Sequence, residues 1–289
     1  MSRRSLFALP IVAILLAACA APSSSTATAP SGSAALNCSP SALSLITPGT
    51  LTLSTSKPAY PPYVLDDNPT SGKGFESAVA YAVASKLGFT PSHVAWTYVT
   101  FEQTYAPGAK TYDFGLQQVS ITPDRAKSIA FSTPYYAANQ AVVALTKNAA
   151  ASNATSITAL KKLKLGVQVG TTSLTYITKV IAPTQQPYVF NDSEGATRAL
   201  KNGTIDALVV DLPTAFYITG ATLTGAKVVG QFKGTDANSG DQWGLVMNKG
   251  SALAPCVDQA LAELKSSGQL QQIQDQWLST AANAPYITP

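Results

Sequence analysis

Short apolar runs of strand length alternate with amphipathic, helix-length segments along this chain, and the alternation occurs twice. In the first pass, strands are expected at 51–55, 94–98 and 113–117. A helix opens at Gly74-Phe75-Glu76, carries the stripe Phe75, Val79, Ala82, Val83 and Leu87, and stops at Gly88. A second short helix begins at Phe101. A strand at 140–146 then leaves this first sheet, and a polar connection at 147–155 follows. The pattern restarts with strands at 165–169, 188–190, 205–210 and around Val228 and Val229, each separated by a helix-like stretch. A strand at 243–247 and two helices, 255–266 and 270–278, complete the chain. Strands alternating with helices confine the fold to the α/β class with a mostly parallel sheet. Two such units joined by two crossings give two lobes, 38–142 with 243–289 and 146–238, with hinges near 143–146 and 239–242.

A chain of 289 residues has room for about two domains. At 46% hydrophobic and 12% charged it can bury a core. The formal charge of +4 includes Arg3 and Arg4, and no basic run follows them, so a nucleic-acid partner is not expected. One histidine and three scattered cysteines exclude the usual zinc spacings, and no cofactor or metal is expected. The chain has no GxxxxGK[ST] loop, which excludes a nucleotide site of that type.

Two arginines precede an apolar run from Leu6 to Leu16, the pattern of a secretory signal at 1–18 that is too short for a confident membrane span. The run ends in Leu16-Ala17-Ala18-Cys19, which resembles a bacterial lipobox, so Cys19 is the expected lipidation site. From Ala20 to about Ala35 the chain is Ala, Ser, Thr and Pro without apolar periodicity, a flexible tether of roughly 20–25 Å r.m.s. span. Residues 19–37 would thus hold the folded part near the outer face of a cell membrane, or the periplasmic side of either membrane in a two-membrane cell. Cys38 and Cys256 lie near the two ends of the folded part. Outside the cytoplasm they are expected to form a disulfide; two buried free thiols are the alternative.

The stretch 112–136 carries the chemistry. A strand runs into Ser120, Ile121, Thr122, a Pro-Asp turn and Arg125. The guanidinium is a permanent charge whose planar fork fits a carboxylate, and two hydroxyls flank it. A strand end is where an α/β sheet places an anionic ligand; the bland alternative is a surface pair with Asp124. The junction Gly170-Thr171-Thr172-Ser173 offers backbone N–H groups and hydroxyls where a helix opens.

The blocks Gly49–Leu53, Tyr60-Pro-Pro-Tyr63, Gly74-Phe75-Glu76, Ser120-Ile-Thr-Pro-Asp-Arg125, Phe131–Tyr136, Gly166–Thr172, Asp206–Asp211 and the terminal run to Trp277 stand in one order. In that order the chain resembles the family 3 extracellular solute-binding proteins of ABC importers, the polar amino acid class, over nearly all of 48–279. The resemblance implies a two-lobed, type II periplasmic-binding-protein fold, each lobe a mixed, mostly parallel sheet flanked by helices, joined by two crossover strands. It implies a non-enzymatic binding component, a monomer, that captures a small amino acid by hinge closure and delivers it to a membrane permease. Carried over by position, Arg125, Ser120 and Thr172 would grip the ligand carboxylate and Asp211 its ammonium. Main-chain groups near Gln118 and Ser120 would complete the clamp, and Tyr60 and Phe101 would sandwich the side chain. The chain departs from the family pattern at Ser56 and Lys57, where an acid is common, at Gln117 and Gln118, and at Glu76, where Asp is usual. The missing first-loop acid points to a neutral polar ligand rather than a cationic one. Two other uses of the fold stay open: a cleft enzyme that dehydrates a cyclic acid, with Glu102, Asp192 or Glu194 as proton donor, and a sensor component.

Overall fold

The computed structural model describes residues 36–233, 240–278 and 284–289. The signal segment, Cys19 and the tether up to residue 35 lie outside the described residues, as do 234–239, where lobe 2 and the second hinge were expected to meet. No helix among the described residues is long and apolar enough to cross a membrane.

The strands in chain order are β1 (Leu51–Thr55), β2 (Val94–Tyr98), β3 (Phe114–Gly115), β4 (Ile129–Phe131), β5 (Tyr136–Ala138), β6 (Gln140–Leu145), β7 (Leu165–Gln168), β8 (Tyr188–Phe190), β9 (Ala207–Asp211), β10 (Ala226–Gln231), β11 (Asp241–Trp243) and β12 (Val246–Asn248). They form two five-stranded sheets, β2-β1-β3-β12-β4 and β10-β6-β9-β7-β8. A two-stranded ribbon of β5 and β11 joins them. The two-lobed α/β expectation therefore holds, and the sheets are mixed. In the first, β1 runs parallel to β2 and β3, while β12 is antiparallel to β3 and β4. In the second, β7 runs parallel to β8 and β9, while β6 is antiparallel to β9 and β10. Antiparallel partners enter because β6 and β12 each begin just after a crossing.

Every residue of β6 is buried, as are the first four of β9. Their runs of Ala, Val and Leu suit strands covered on both faces, and separate apolar clusters lie on the two sides of this sheet. The first lobe packs helices Phe75–Lys86, Ala254–Ser266 and Gln269–Leu278 on β1, β3 and β12. Cys38 and Cys256 form a disulfide that fastens the first described residues to the helix Ala254–Ser266. Closing a loop of 218 residues contributes on the order of 2–4 kcal/mol by restricting the unfolded chain.

Two expected boundaries are corrected. The first crossing is β5, not 143–146: β6 is a strand of the second sheet from Gln140 onward. Asn139, the one residue between β5 and β6, was hidden inside a continuous extended stretch. The second correction concerns the C-terminus. Leu278 is buried in the first lobe's core, but Ala284 and Ile287 are buried in the clusters of the second. The tail pairs with the second sheet: Gln231 N donates to Pro285 O and Ile287 N to Gln231 O, each at 2.8 Å. Gln231 also reaches sideways, donating through Nε2 to Ala284 O (2.7 Å) and accepting from Asn139 Nδ2 (2.7 Å). A Cβ at Gly230 would approach Ile287 Cδ1 to 2.6 Å, so glycine is what lets the tail lie flat there. Ile287→Ala is expected to lower stability by about 2 kcal/mol, the low end for a buried isoleucine because the site lies at a sheet edge. Chemical denaturation, read as the transition midpoint at constant slope, measures it.

Candidate functional site

The site lies where the first lobe meets the crossing strands. After β3 the chain turns through Gln117 and Gln118 and pairs with the second crossing: Ile121 N donates to Gln242 O (2.7 Å) and Gly244 N to Val119 O (3.1 Å). Ser120 forms a bridge with Trp243. The short helical turn Arg125–Lys127 follows, its first N–H held by Thr122 Oγ1 at 3.2 Å. Asp124 spends its charge on Lys127 at 2.6 Å, so the surface pair with Arg125 does not form.

Arg125 is 8% exposed. It donates to Ser120 O (2.8 Å) and, across the cleft, to Gly170 O (2.9 Å). Its guanidinium carbon lies over the rings of Tyr105 (4.7 Å) and Phe101 (5.3 Å). These contacts aim the fork and leave further N–H groups for an anion. Gly170 has φ of +71°, and a Cβ there would collide with the Tyr105 hydroxyl, so a glycine suits both the turn and the close approach of the lobes. Other contacts shut the cleft: Ser120 Oγ to Thr172 Oγ1 (3.2 Å), Tyr63 OH to Thr214 Oγ1 (2.8 Å) and Tyr60 OH donating to Glu194 Oε2 (3.3 Å).

Tyr60, Phe101, Gln118, Ser120, Arg125, Thr172 and Asp211 all line one cavity of about 510 Å³ between the lobes. The surroundings of Phe101 and Gln118 differ from the expectation, while Asp211 and Thr172 are left free of helix capping. Phe101 turns its face to Arg125, so it holds the guanidinium as well as bordering the cavity. Gln118, at φ of +52°, donates both its main-chain N–H (2.7 Å) and its side-chain amide to Glu76. Asp211 occupies a helix N-cap position but makes no cap bond. Thr172 is likewise not a cap; Thr171 does that work, accepting from Leu174 N at 3.3 Å.

Two acids at this site were not singled out as interacting groups by sequence. Glu76 is 1% exposed and accepts from Gln118 and Tyr135 OH. Burial raises its pKa from 4.5 to about 7, against the lowering effect of those bonds. Asp241, heading β11, accepts from Gln140 Nε2 at 2.8 Å, and the same nitrogen donates to Asp211 Oδ1 at 2.5 Å. Asp211 faces the cavity yet is ringed by protein. Burial, then the charge of Asp241, push it up from 3.8 to about 7, while Gln140 and Arg125 pull the other way. The only sequence signal for Gln140 is a polar residue at the head of an otherwise apolar strand; Glu76 reads as an ordinary first-turn helix acid.

Two mixed sheets, a paired double crossing, and an interlobe cavity lined by a buried arginine and a partly exposed aspartate define a two-lobed binding protein of the periplasmic type. The chain belongs to the bacterial extracellular solute-binding proteins, family 3, whose sequence model matches residues 53–280. It is 27% identical over 221 residues to the L-cystine-binding protein TcyJ of Escherichia coli K12, covering 75% of this chain and 79% of that one. With ABC transporter arginine-binding protein 1 of the same strain it shares 30% over 222 residues, 75% of this chain and 86% of that one. An ancestral arginine-binding protein bound to glutamine superposes with a TM-score of 0.66 at 32% identity, covering 79% of this chain and 97% of its own.

Proposed function

We propose that the cleft captures a free α-amino acid with a neutral polar side chain and hands it to a membrane permease. The observation that carries this reading is Arg125 and Asp211 lining one interlobe cavity, a cation and an anion that match a zwitterion's carboxylate and ammonium. In this reading Ser120 and Thr172 hydroxyls, 3.2 Å apart across the cleft, share the carboxylate with Arg125. Ligand contacts from both lobes favour the closed state, as hinge closure requires. Gln118, Tyr60 and Phe101 border the side chain. The neutral preference rests on the first loop: Ser56 and Lys57 line the cavity, and Lys57 brings a cation, not an acid, to it. Glu102 and Asp192 also line it and favour a second reading, a cationic side chain such as that of arginine.

The protein is not an enzyme in this reading. Asp192 is committed to capping its helix, accepting from Gly195 N at 2.6 Å, and Glu194 pairs with Arg198, which leaves neither as a ready proton donor. The lipobox-like ending at Cys19 supports a lipid-anchored monomer outside the cytoplasm, with the tether giving reach. Isothermal titration of the purified protein, stripped of co-purified ligand, against the twenty amino acids tests the function. One-to-one binding is expected, with glutamine and asparagine ahead of arginine and lysine. A stronger arginine signal selects the cationic reading. Absence of any amino acid signal together with turnover of a cyclic acid such as prephenate would replace the binding reading by the enzyme one.

A further inference from the structure

Gln140 bonds three residues that line the cavity, Asp211, Thr172 and Ser173, yet it does not itself line it. It is 1% exposed and heads β6, the first strand after the first crossing. In the antiparallel pairing of β6 with β9 it lies directly opposite Asp211, so the two side chains share one face of the sheet. Nε2 donates to Asp211 Oδ1 at 2.5 Å and to Asp241 Oδ2 at 2.8 Å, with Thr172 Oγ1 at 3.4 Å. Oε1 accepts from Ser173 Oγ at 2.6 Å. One neutral amide therefore connects the ammonium-facing acid, the hydroxyl that faces the carboxylate, and the acid that opens the second crossing strand. Asp241 pairs with Ala138 in the ribbon, two residues before Gln140, so both crossings meet at this side chain.

We propose that Gln140 is a positioning residue of the ammonium site: by donating to Asp211 and Asp241 together it aims the Asp211 carboxylate into the cleft and holds two like charges side by side at the hinge. The proposal rests on the reading of Asp211 as the ammonium partner. The chemistry favours an amide over its alternatives. An apolar residue would leave both acids without this donor, and a third acid would add repulsion. The groups that act on Asp211 come from every surrounding element: Asp241 on β11, Arg125, Glu76 on its helix, Tyr63, Tyr135, and Tyr136 on β5. Of these, only Arg125 carries a positive charge. Asp211 grips an ammonium only as the carboxylate, so acidification through about pH 7 weakens binding in the native protein. Loss of the Gln140 bond moves that midpoint up, and loss of the Asp241 charge moves it down.

The experiment is titration of L-glutamine, with L-arginine in parallel, from pH 6 to 9, using the native protein, Gln140→Leu and Asp241→Asn. For Gln140→Leu the midpoint is expected to rise by about one pH unit, from about 7, so that affinity drops roughly fivefold at pH 7 and recovers at pH 9. For Asp241→Asn, which keeps an acceptor for the amide, the midpoint falls and affinity at pH 6 holds up better against affinity at pH 8. A Gln140→Leu loss of equal size at pH 7 and 9 would mean a merely structural role and would overturn the proposal, as would an unmoved midpoint in Asp241→Asn. Should Gln140→Leu not fold, the Asp241→Asn profile decides. Failure of the native protein to bind either amino acid at any pH removes the underlying reading, and the proposal with it.

Discussion

Arg125→Ala is expected to weaken amino acid binding by about 30- to 5,000-fold, toward or beyond the limit of calorimetry. The guanidinium is buried and makes charge-assisted bonds, and truncating one partner of a buried charge pair costs about 2–5 kcal/mol. Much of that cost is the ligand carboxylate left in the interlobe cavity without its counter-charge. Arg125 also bonds Ser120 O in its own lobe and Gly170 O in the other, so alanine removes one of the links that close the cleft. Arg125→Lys separates these contributions. Lysine keeps the charge but not the planar fork, and cannot serve two carbonyls and a carboxylate in the same geometry. It is expected to recover only part of the affinity. Thermal melting without ligand provides the control: Arg125→Ala should shift it far less than it shifts binding, because Arg125 has no carboxylate partner among the described residues to strand.

Much of this site was legible in the sequence because its parts lie at strand ends and helix starts. The Ser-Ile-Thr-Pro-Asp-Arg stretch, the Gly-Thr-Thr junction and the Asp that follows an apolar strand are local patterns, and the alternation of elements dictates that strand ends converge. What was not legible depends on contacts far apart in the chain. Glu76 meets Gln118 and Tyr135, 42 and 59 residues away. Gln140 meets Asp241 across 101 residues. Neither pairing leaves a periodic trace. The crossing was misplaced for a related reason. The residues from Tyr136 to Leu145 are extended almost without a break, and only the partners across the sheets reveal that Asn139 separates a ribbon strand from a sheet strand. The tail at 284–289 has too few residues to show a pattern, and its place is set by Gly230 and Gln231 on the other lobe.

The ligand-free protein is expected to melt higher at pH 5 than at pH 8, and Glu76→Gln is expected to remove much of that difference. Glu76 is enclosed in the first lobe, where no counter-cation touches it among the described residues. Two acceptor oxygens take bonds from Gln118 and Tyr135, yet the cost of burying a negative charge outweighs them and its pKa is held near 7 against an ordinary 4.5. The folded state therefore binds this proton more tightly than the unfolded chain does. The resulting stabilisation is complete below about pH 4.5 and is lost as the pH rises through about 7. A displacement of that size corresponds to about 3 kcal/mol. Asp211, also raised to about 7, acts in the same direction. Glutamine cannot ionise. It keeps the shape and one acceptor for the Tyr135 hydroxyl and the Gln118 N–H, while a rotation of the Gln118 amide supplies an acceptor for its new N–H. At pH 8 Glu76→Gln should accordingly raise the melting temperature by roughly 6–12 °C, since each kcal/mol moves a chain of this size by about 2–4 °C. At pH 5 it should change little. A fall at pH 8 would mean that Glu76 works as an anion in the folded state, its three donors outweighing burial, and that the Gln118 turn at the cleft wall depends on that charge.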